Sequence, residues 1–375
     1  MTGSQALSKL APPELDLLRL GFVPLTDCAP LVVAEVMELG KAYGLHIELR
    51  RQPSWAAVRD KLLSGELDAA HALYGLPYGV QLGLGGPQAD MAILMTLARN
   101  GQAISVSRRL SGILDQGIPL REAAAVLGRK PVFAQTFPTG THAMWLNYWL
   151  AAQGIDPLRN VENVVLPPPQ MADAMANGEI DGFCAGEPWH TVAKSKEAGH
   201  MIVTSDAIWP GHPEKTLACR RDFAALYPNT AKALIRTVLD ACRWLETSQN
   251  RRLATDWLAG SSYLGLLPEM ILPSMAIDFP HGSSTVRFFG QDGMNAPLPE
   301  DGLWFLSQYR RWGMQKRDID WRRIAVDVSA TALFAEASAG MGLEMQPNVP
   351  VSLIDGVTWD GRDAAAYADS FEQGM

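Results

Sequence analysis

The chain has 375 residues, 47% hydrophobic and 19% charged, a globular composition long enough for two domains or lobes. Its 32 lysines and arginines against 40 acids leave a formal charge of −8, which argues against broad nucleic-acid binding but leaves room for one buried cation. The first 20 residues hold no apolar core of signal-peptide length, no uncharged apolar run of 18 occurs, and Cys28, Cys184, Cys219 and Cys242 lack metal or disulfide spacing, so the expectation is a cytoplasmic protein with free thiols and no membrane segment.

Residues 17–23 read as a strand, followed by a loop with Pro24, Thr26 and Pro30. A helical pattern over 31–43 ends at Gly44, a natural C-terminal stop. Residues 46–52 alternate like a strand, Ser54 can N-cap a helix over 55–65, and 68–73 form a third strand, giving the order β-α-β-α-β. The segment 98–107 contains Asn100-Gly101, a turn signal, and is a hinge candidate. The order then repeats: a strand over 130–137, a helix from His142 to Gly154, a strand over 161–166, a short helix over 170–178 and a strand over 181–186. The two third strands are introduced by related words, Gly65-Glu66-Leu67-Asp68 and Gly178-Glu179-Ile180-Asp181. Residues 205–215 make the return crossing, 228–260 and 302–345 are mainly helical, and 349–361 form a short strand-rich closure.

The fold class is therefore α/β with two similar lobes. An extension covers 1–16, lobe 1 takes 17–100 and 210–375, and lobe 2 takes 101–209. Ligands of such lobes bind at the C-terminal ends of parallel strands. The cleft should then collect residues 24–30, 53–55, 73–77, 137–142, 166–170 and 186–189. One of these loops places Thr139, Gly140, Thr141 and His142 at the start of a helix. The unsatisfied N–H groups and positive dipole end of a helix favour an anion there.

Three stretches, "FPTGTHAMWLNYWLAAQGIDP", "PPPQMADAMANGEIDGFCAGEPW" and "HPEK", together resemble the nitrate- and bicarbonate-binding proteins of bacterial ABC importers, and "PSWAAVRDKLLSG", "NGQAI" and "LWFLSQYRRWG" continue the pattern. The resemblance runs from about residue 17 to the C-terminus. It implies a two-lobed, periplasmic-binding-protein-like (type II) fold that closes on a small planar anion, with no cofactor and no catalysis. The chain most resembles the cytoplasmic NasS-type nitrate/nitrite sensors. These hold a NasT-type RNA-binding antiterminator of nitrate assimilation genes and release it when the anion binds. That reading gives nitrate or nitrite and the NasT-type protein as partners, without direct nucleic-acid or membrane contact. The alternative is the solute-binding component of a nitrate or bicarbonate importer.

By the same resemblance the anion pocket falls on Trp55, Gln102, His142 and Lys215, with Gly140 and Thr141 added from the helix start. Lys215 would supply a charge-assisted contact, Gln102 two amide donors at the lobe crossing, and Trp55 an indole N–H or an aromatic wall. Gly140 would let the backbone approach the anion, and a His142 donor would make binding weakly pH-dependent. Trp145 and Trp149 lie on one helical face and are assigned to core packing, Trp145 at the pocket rim; Glu187 is expected to orient Lys215 or the hinge. The chain has no acidic loop of calcium-binding spacing, which favours nitrate or nitrite over calcium-assisted bicarbonate, and no HExxH, GxSxG or Walker A motif, so no metal and no enzyme are expected.

Overall fold

The computed structural model describes residues 11–276, 286–344 and 349–371. Two five-stranded mixed sheets organise it. The first contains β1 (Leu17–Phe22), β2 (His46–Arg51), β3 (Ala69–Leu73), β4 (Met91–Arg99) and β10 (Pro213–Arg220), in the order β2-β1-β3-β10-β4. The second contains β5 (Gln102–Ser107), β6 (Val132–Gln135), β7 (Glu162–Val165), β8 (Gly182–Gly186) and β9 (Gly199–Thr204), in the order β7-β6-β8-β5-β9. In each sheet the first three strands are parallel, the fourth runs against them, and the fifth, antiparallel to the fourth, runs in the direction of the first three. The chain crosses between sheets twice. Asn100 and Gly101, at φ 60° and 89°, join β4 to β5, and residues 205–212 return from β9 to β10.

The repeated words have one physical job in both lobes. Gly65 and Gly178 end their helices in the left-handed region that favours glycine. The aspartate that follows then fastens the head of the neighbouring strand. Asp68 accepts from the Arg19 amide (2.8 Å) and guanidinium (2.9 Å), and Asp181 accepts from the Val132 amide (2.8 Å) and the Arg129 guanidinium (2.5 Å). Leu67 and Ile180 between them are buried.

The local reading gives no strand for β4, β5, β9 or β10, and it differs from the structure at two further places. The helix expected over 31–43 spans Ala29–Val36, and a 3-10 turn over Leu39–Tyr43 follows after Glu38 adopts φ 51°. The C-terminal segment, expected with lobe 1, packs on both lobes from Pro299 onward. The helix Pro299–Arg311 presents Trp304 and Phe305 to Trp145 of lobe 2 and stacks Phe305 on Tyr74 of lobe 1. The Tyr309 hydroxyl is shared between Gly75 O of lobe 1 (2.6 Å) and Thr139 O of lobe 2 (2.7 Å). The hairpin of Val351–Ser352 with Thr358–Trp359 leads to the helix Ala364–Asp369, whose Tyr367 meets Tyr148 of lobe 2 at 2.9 Å. Burial of aromatic faces left open by both lobes accounts for this placement.

The four cysteines are free and buried. Among the described residues no helix is long and apolar enough to cross a membrane.

Where the lobes meet, small residues set the distance. A Cβ on Gly79, in the helix Gly75–Gln81, would lie 2.2 Å from Thr139 Oγ1 and 2.6 Å from Thr139 Cβ of the other lobe. Gly79→Ala should therefore gain up to about 1 kcal/mol of helix propensity while obstructing closure. Small-angle scattering should show a more extended average shape than the parent, with chemical stability little changed.

Candidate functional site

The site is built where β1 and β3 end and β5 and β10 begin, against the helix Thr141–Ala152. β10 contributes two consecutive side chains, Glu214 and Lys215. Regular alternation would send them to opposite faces, but the pairing of β10 with β4 is irregular on both sides of Lys215. The bulge brings both side chains into the cleft, where Lys215 Nζ donates to Glu214 Oε1 at 2.8 Å. The same ammonium lies 2.8 Å from Oδ2 of Asp27, which sits in the 3-10 turn after β1.

From Asp27 the network runs in two directions. Oδ1 meets His71 Nε2 of β3 at 2.8 Å, and Oδ2 accepts from the Gln102 amide at 3.0 Å. Gln102 Oε1 in turn faces His142 Nε2 at 2.7 Å, and His142 Nδ1 faces Thr136 Oγ1 at 2.6 Å. Since a carbonyl oxygen only accepts, His142 carries its proton on Nε2, and Thr136 donates to Nδ1 while the ring is neutral. Glu214 is held from the second lobe: it accepts from Thr141 Oγ1 at 2.5 Å and from the Trp145 indole at 2.8 Å. Asp27, His71, Gln102, Thr141, His142, Trp145, Glu214, Lys215 and Trp55 are all buried.

Charge follows this geometry. Burial would raise the Asp27 pKa, but the Lys215 ammonium and His71 outweigh it and hold the carboxyl down at about 2. Burial likewise opposes ionisation of Glu214, and Lys215 with His142 brings it well below the carboxylate range. For Lys215, burial lowers the pKa and the two carboxylates raise it by more. Burial, reinforced by the Lys215 charge, lowers His142, and burial also lowers His71. At neutral pH the centre therefore holds an ammonium, two carboxylates and neutral imidazoles.

The lobes are fastened in front of this centre by further bonds. Thr26 N donates to Glu187 O at 2.8 Å, and the Trp189 indole donates to Pro24 O at 3.0 Å. A surface cavity of about 390 Å³ at the mouth is lined from both lobes by Pro24, Arg51, Gln52 and Pro53 on one side and Pro167, Pro169 and Gln170 on the other.

The structure thus brings Trp55, Gln102, His142 and Lys215 into one buried centre, with the Lys215 ammonium 5.8 Å from the Trp55 ring centroid. Gly140 and Thr141 lie at its edge with different duties. The Thr141 hydroxyl is committed to Glu214, and a Cβ on Gly140 would sit 2.3 Å from Leu73 Cδ1, so that glycine serves lobe-to-lobe packing. Glu187 does not orient Lys215. Its carboxylate accepts from the Thr191 amide (3.1 Å) and hydroxyl (3.3 Å) in its own loop, and burial raises its pKa to about 7. The orienting carboxylates are Asp27 and Glu214, which the sequence reading missed together with His71 and Thr136. Glu214 adjoins Lys215 in "HPEK", and a fully buried lysine requires buried counter-charge, which was the available signal.

A two-lobed solute-binding protein is the class that this fold and enclosed polar centre define. The NMT1-like family model matches residues 11–259. The nitrate/nitrite binding protein NrtA of Synechocystis sp. (strain ATCC 27184 / PCC 6803 / Kazusa) is 32% identical, covering 98% of this chain and 88% of that protein. The crystal structure of the periplasmic nitrate-binding protein NrtA from Synechocystis PCC 6803 superposes with a TM-score of 0.88 at 30% identity, over 96% of this chain and 99% of that one. Nitrate import ATP-binding protein NrtC of the same Synechocystis strain and bicarbonate transport ATP-binding protein CmpC of Synechococcus elongatus (strain ATCC 33912 / PCC 7942 / FACHB-805) are each 35% identical over 94% of this chain. The chain spans about half the length of these two, 55% and 54%. The chain belongs to the NMT1-like family, and within it to the nitrate/bicarbonate ABC-importer solute-binding proteins.

Removing the ammonium isolates two buried carboxylates. Lys215→Met should destabilise the protein by about 3–5 kcal/mol at pH 7 and by less at pH 5, where the orphaned carboxyls can protonate. The parent has the opposite trend. The depressed Asp27 and Glu214 contribute stability that is present above the ordinary carboxylate range and is lost as pH falls toward about 2. Urea unfolding of both proteins between pH 3 and 7 measures the crossing slopes.

Proposed function

We propose that the chain binds nitrate, and also nitrite, in the interlobe centre, as a non-catalytic solute-binding protein. The observation that carries the reading is the Trp55 indole N–H, buried beside Lys215 and without a hydrogen-bond partner among the described residues. Leaving such a donor unpaired costs about 1–3 kcal/mol, a cost that an oxyanion acceptor removes. Nitrate is planar, weakly basic and poorly hydrated. It suits one ammonium, a few N–H donors and an aromatic wall. The names of the NrtA relatives, which state nitrate binding, support the same ligand.

Two assemblies can use this binding step. The importer reading has more support, since NrtC and CmpC are by name ATP-binding proteins of nitrate import and bicarbonate transport. The second reading, a cytoplasmic sensor that controls a NasT-type antiterminator, rests on the motif resemblance set out above. Fractionation and co-purification discriminate them. Periplasmic recovery with loss of nitrate uptake on deletion fits the importer. Cytoplasmic recovery with an RNA-binding partner released by nitrate fits the sensor.

Calorimetry with nitrate, nitrite, bicarbonate and chloride tests the ligand, and the reading expects heat with the first two and none that depends on a chelator. Trp55→Phe separates binding from folding. It should weaken nitrate by about 0.5–1.5 kcal/mol through the lost donor and leave unfolding stability unchanged or slightly raised. Weakened folding with unaltered affinity would remove Trp55 from the ligand.

A further inference from the structure

The centre holds more negative charge than positive. Lys215 is shared between Asp27 and Glu214, so with neutral imidazoles the buried cluster has a formal charge of −1 before any ligand arrives. A monoanion would bring it to −2 and a dianion to −3, in a region where water is displaced and uncompensated charge is heavily penalised. The cluster also contains one group built to change protonation without losing a bond. His142 Nε2 donates to Gln102 Oε1, and Nδ1 faces the Thr136 hydroxyl, which can turn from donor to acceptor when a proton arrives on Nδ1.

We propose, building on the nitrate reading above, that Asp27 and Glu214 restrict the pocket to singly charged anions, and that each anion is taken up together with one proton from solution, held on His142 Nδ1. The proton restores the cluster to its starting charge, and a dianion would need two.

The charged and titratable groups facing His142 favour this placement. Glu214 Oε1 lies 3.4 Å from Nε2, and Asp27 lies one residue further through Gln102; both favour the imidazolium, and Lys215 opposes it. An arriving anion adds a negative charge near the ring and weakens the opposing effect of Lys215. The other buried histidines among the described residues are worse acceptors. His71 has Nε2 on Asp27 and, among the described residues, no partner for Nδ1, so a proton there would be a buried donor without an acceptor. His190 is stacked on Phe183 and closed by Ser105 and Ala185 O. His212 lies on the far side of Glu214, 3.6 Å from Oε2, closed by Pro213 O and Ser205.

The sign of the pH effect follows. Without ligand, burial keeps the His142 pKa below its ordinary value, and the anion raises it. Anion affinity is then greatest below the free pKa and falls through the window between the free and bound values, by up to about tenfold per pH unit.

Titration calorimetry of the full chain with sodium nitrate at pH 7, in PIPES and in imidazole buffers of different ionisation enthalpy, measures the proton count. The expected result is uptake approaching about one proton per nitrate in the parent and near zero in His142→Gln, which keeps a side-chain amide at that position. Sodium sulfate in hundredfold excess should not displace nitrate. Should the variant fail to fold, histidine ¹⁵N NMR of the parent reads the same event, as an imidazolium that appears on nitrate addition. Buffer-independent heat with tight binding would overturn the proton coupling while leaving the nitrate reading intact, and competitive sulfate binding would overturn the charge restriction. Absence of nitrate binding in every buffer would overturn the ligand reading and this inference with it.

Discussion

One buried ammonium, Lys215, governs the arrangement of the cleft. It sits between Asp27, from the turn after the first strand, and Glu214, its own neighbour on β10. A lysine removed from water in this way is tolerated only with close counter-charge, and each carboxylate then needs its remaining lone pairs satisfied. Lobe 2 and the crossing supply those donors: Thr141 and Trp145 bond Glu214, and Gln102 bonds Asp27. Lobe closure is therefore written into the needs of the lysine's partners. A ligand drawn to the same cluster acts on an element that already joins both lobes.

The rear of the molecule holds the lobes by different physics. There the contacts are aromatic and apolar, with Trp145, Trp209, Trp304 and Phe305 packed edge to face or tilted between the two sheets. Such packing is non-directional and tolerates small rotations, whereas the charged front is satisfied in one geometry. Trp145 belongs to both, with its ring in the aromatic cluster and its N–H on Glu214. The division suits a device whose rear acts as pivot and whose front discriminates the ligand.

The duplicated lobe logic explains why only some of the repeat is visible in sequence. Asp68 and Asp181 keep the same task, tying a strand head through its amide and a neighbouring arginine, and their surrounding words are recognisably alike. The cleft loops, which perform different tasks in the two lobes, have diverged. Asp27 in one lobe and the Thr136–His142 turn in the other occupy corresponding loop positions after the first strand of each unit and share no residue pattern.

By itself the sequence determined the alternation of strands and helices, their duplication, the crossings near Asn100-Gly101 and 205–215, and the loops that meet in the cleft. These are local properties: apolar periodicity, glycine conformational freedom, and capping at Ser54, whose side chain does accept from Ala57 N. The motif words also named Trp55, Gln102, His142 and Lys215, which the fold gathers. Tertiary structure alone decided how charge is balanced among them. A bulge in β10 turns Glu214 to the side of Lys215, and strand alternation gives no sign of it. Asp27 reaches the lysine across 188 positions of sequence, and Tyr309 clamps two lobes far from its own place in the chain. Electrostatic and packing partners of this kind depend on distance in space, which periodicity and propensity do not encode.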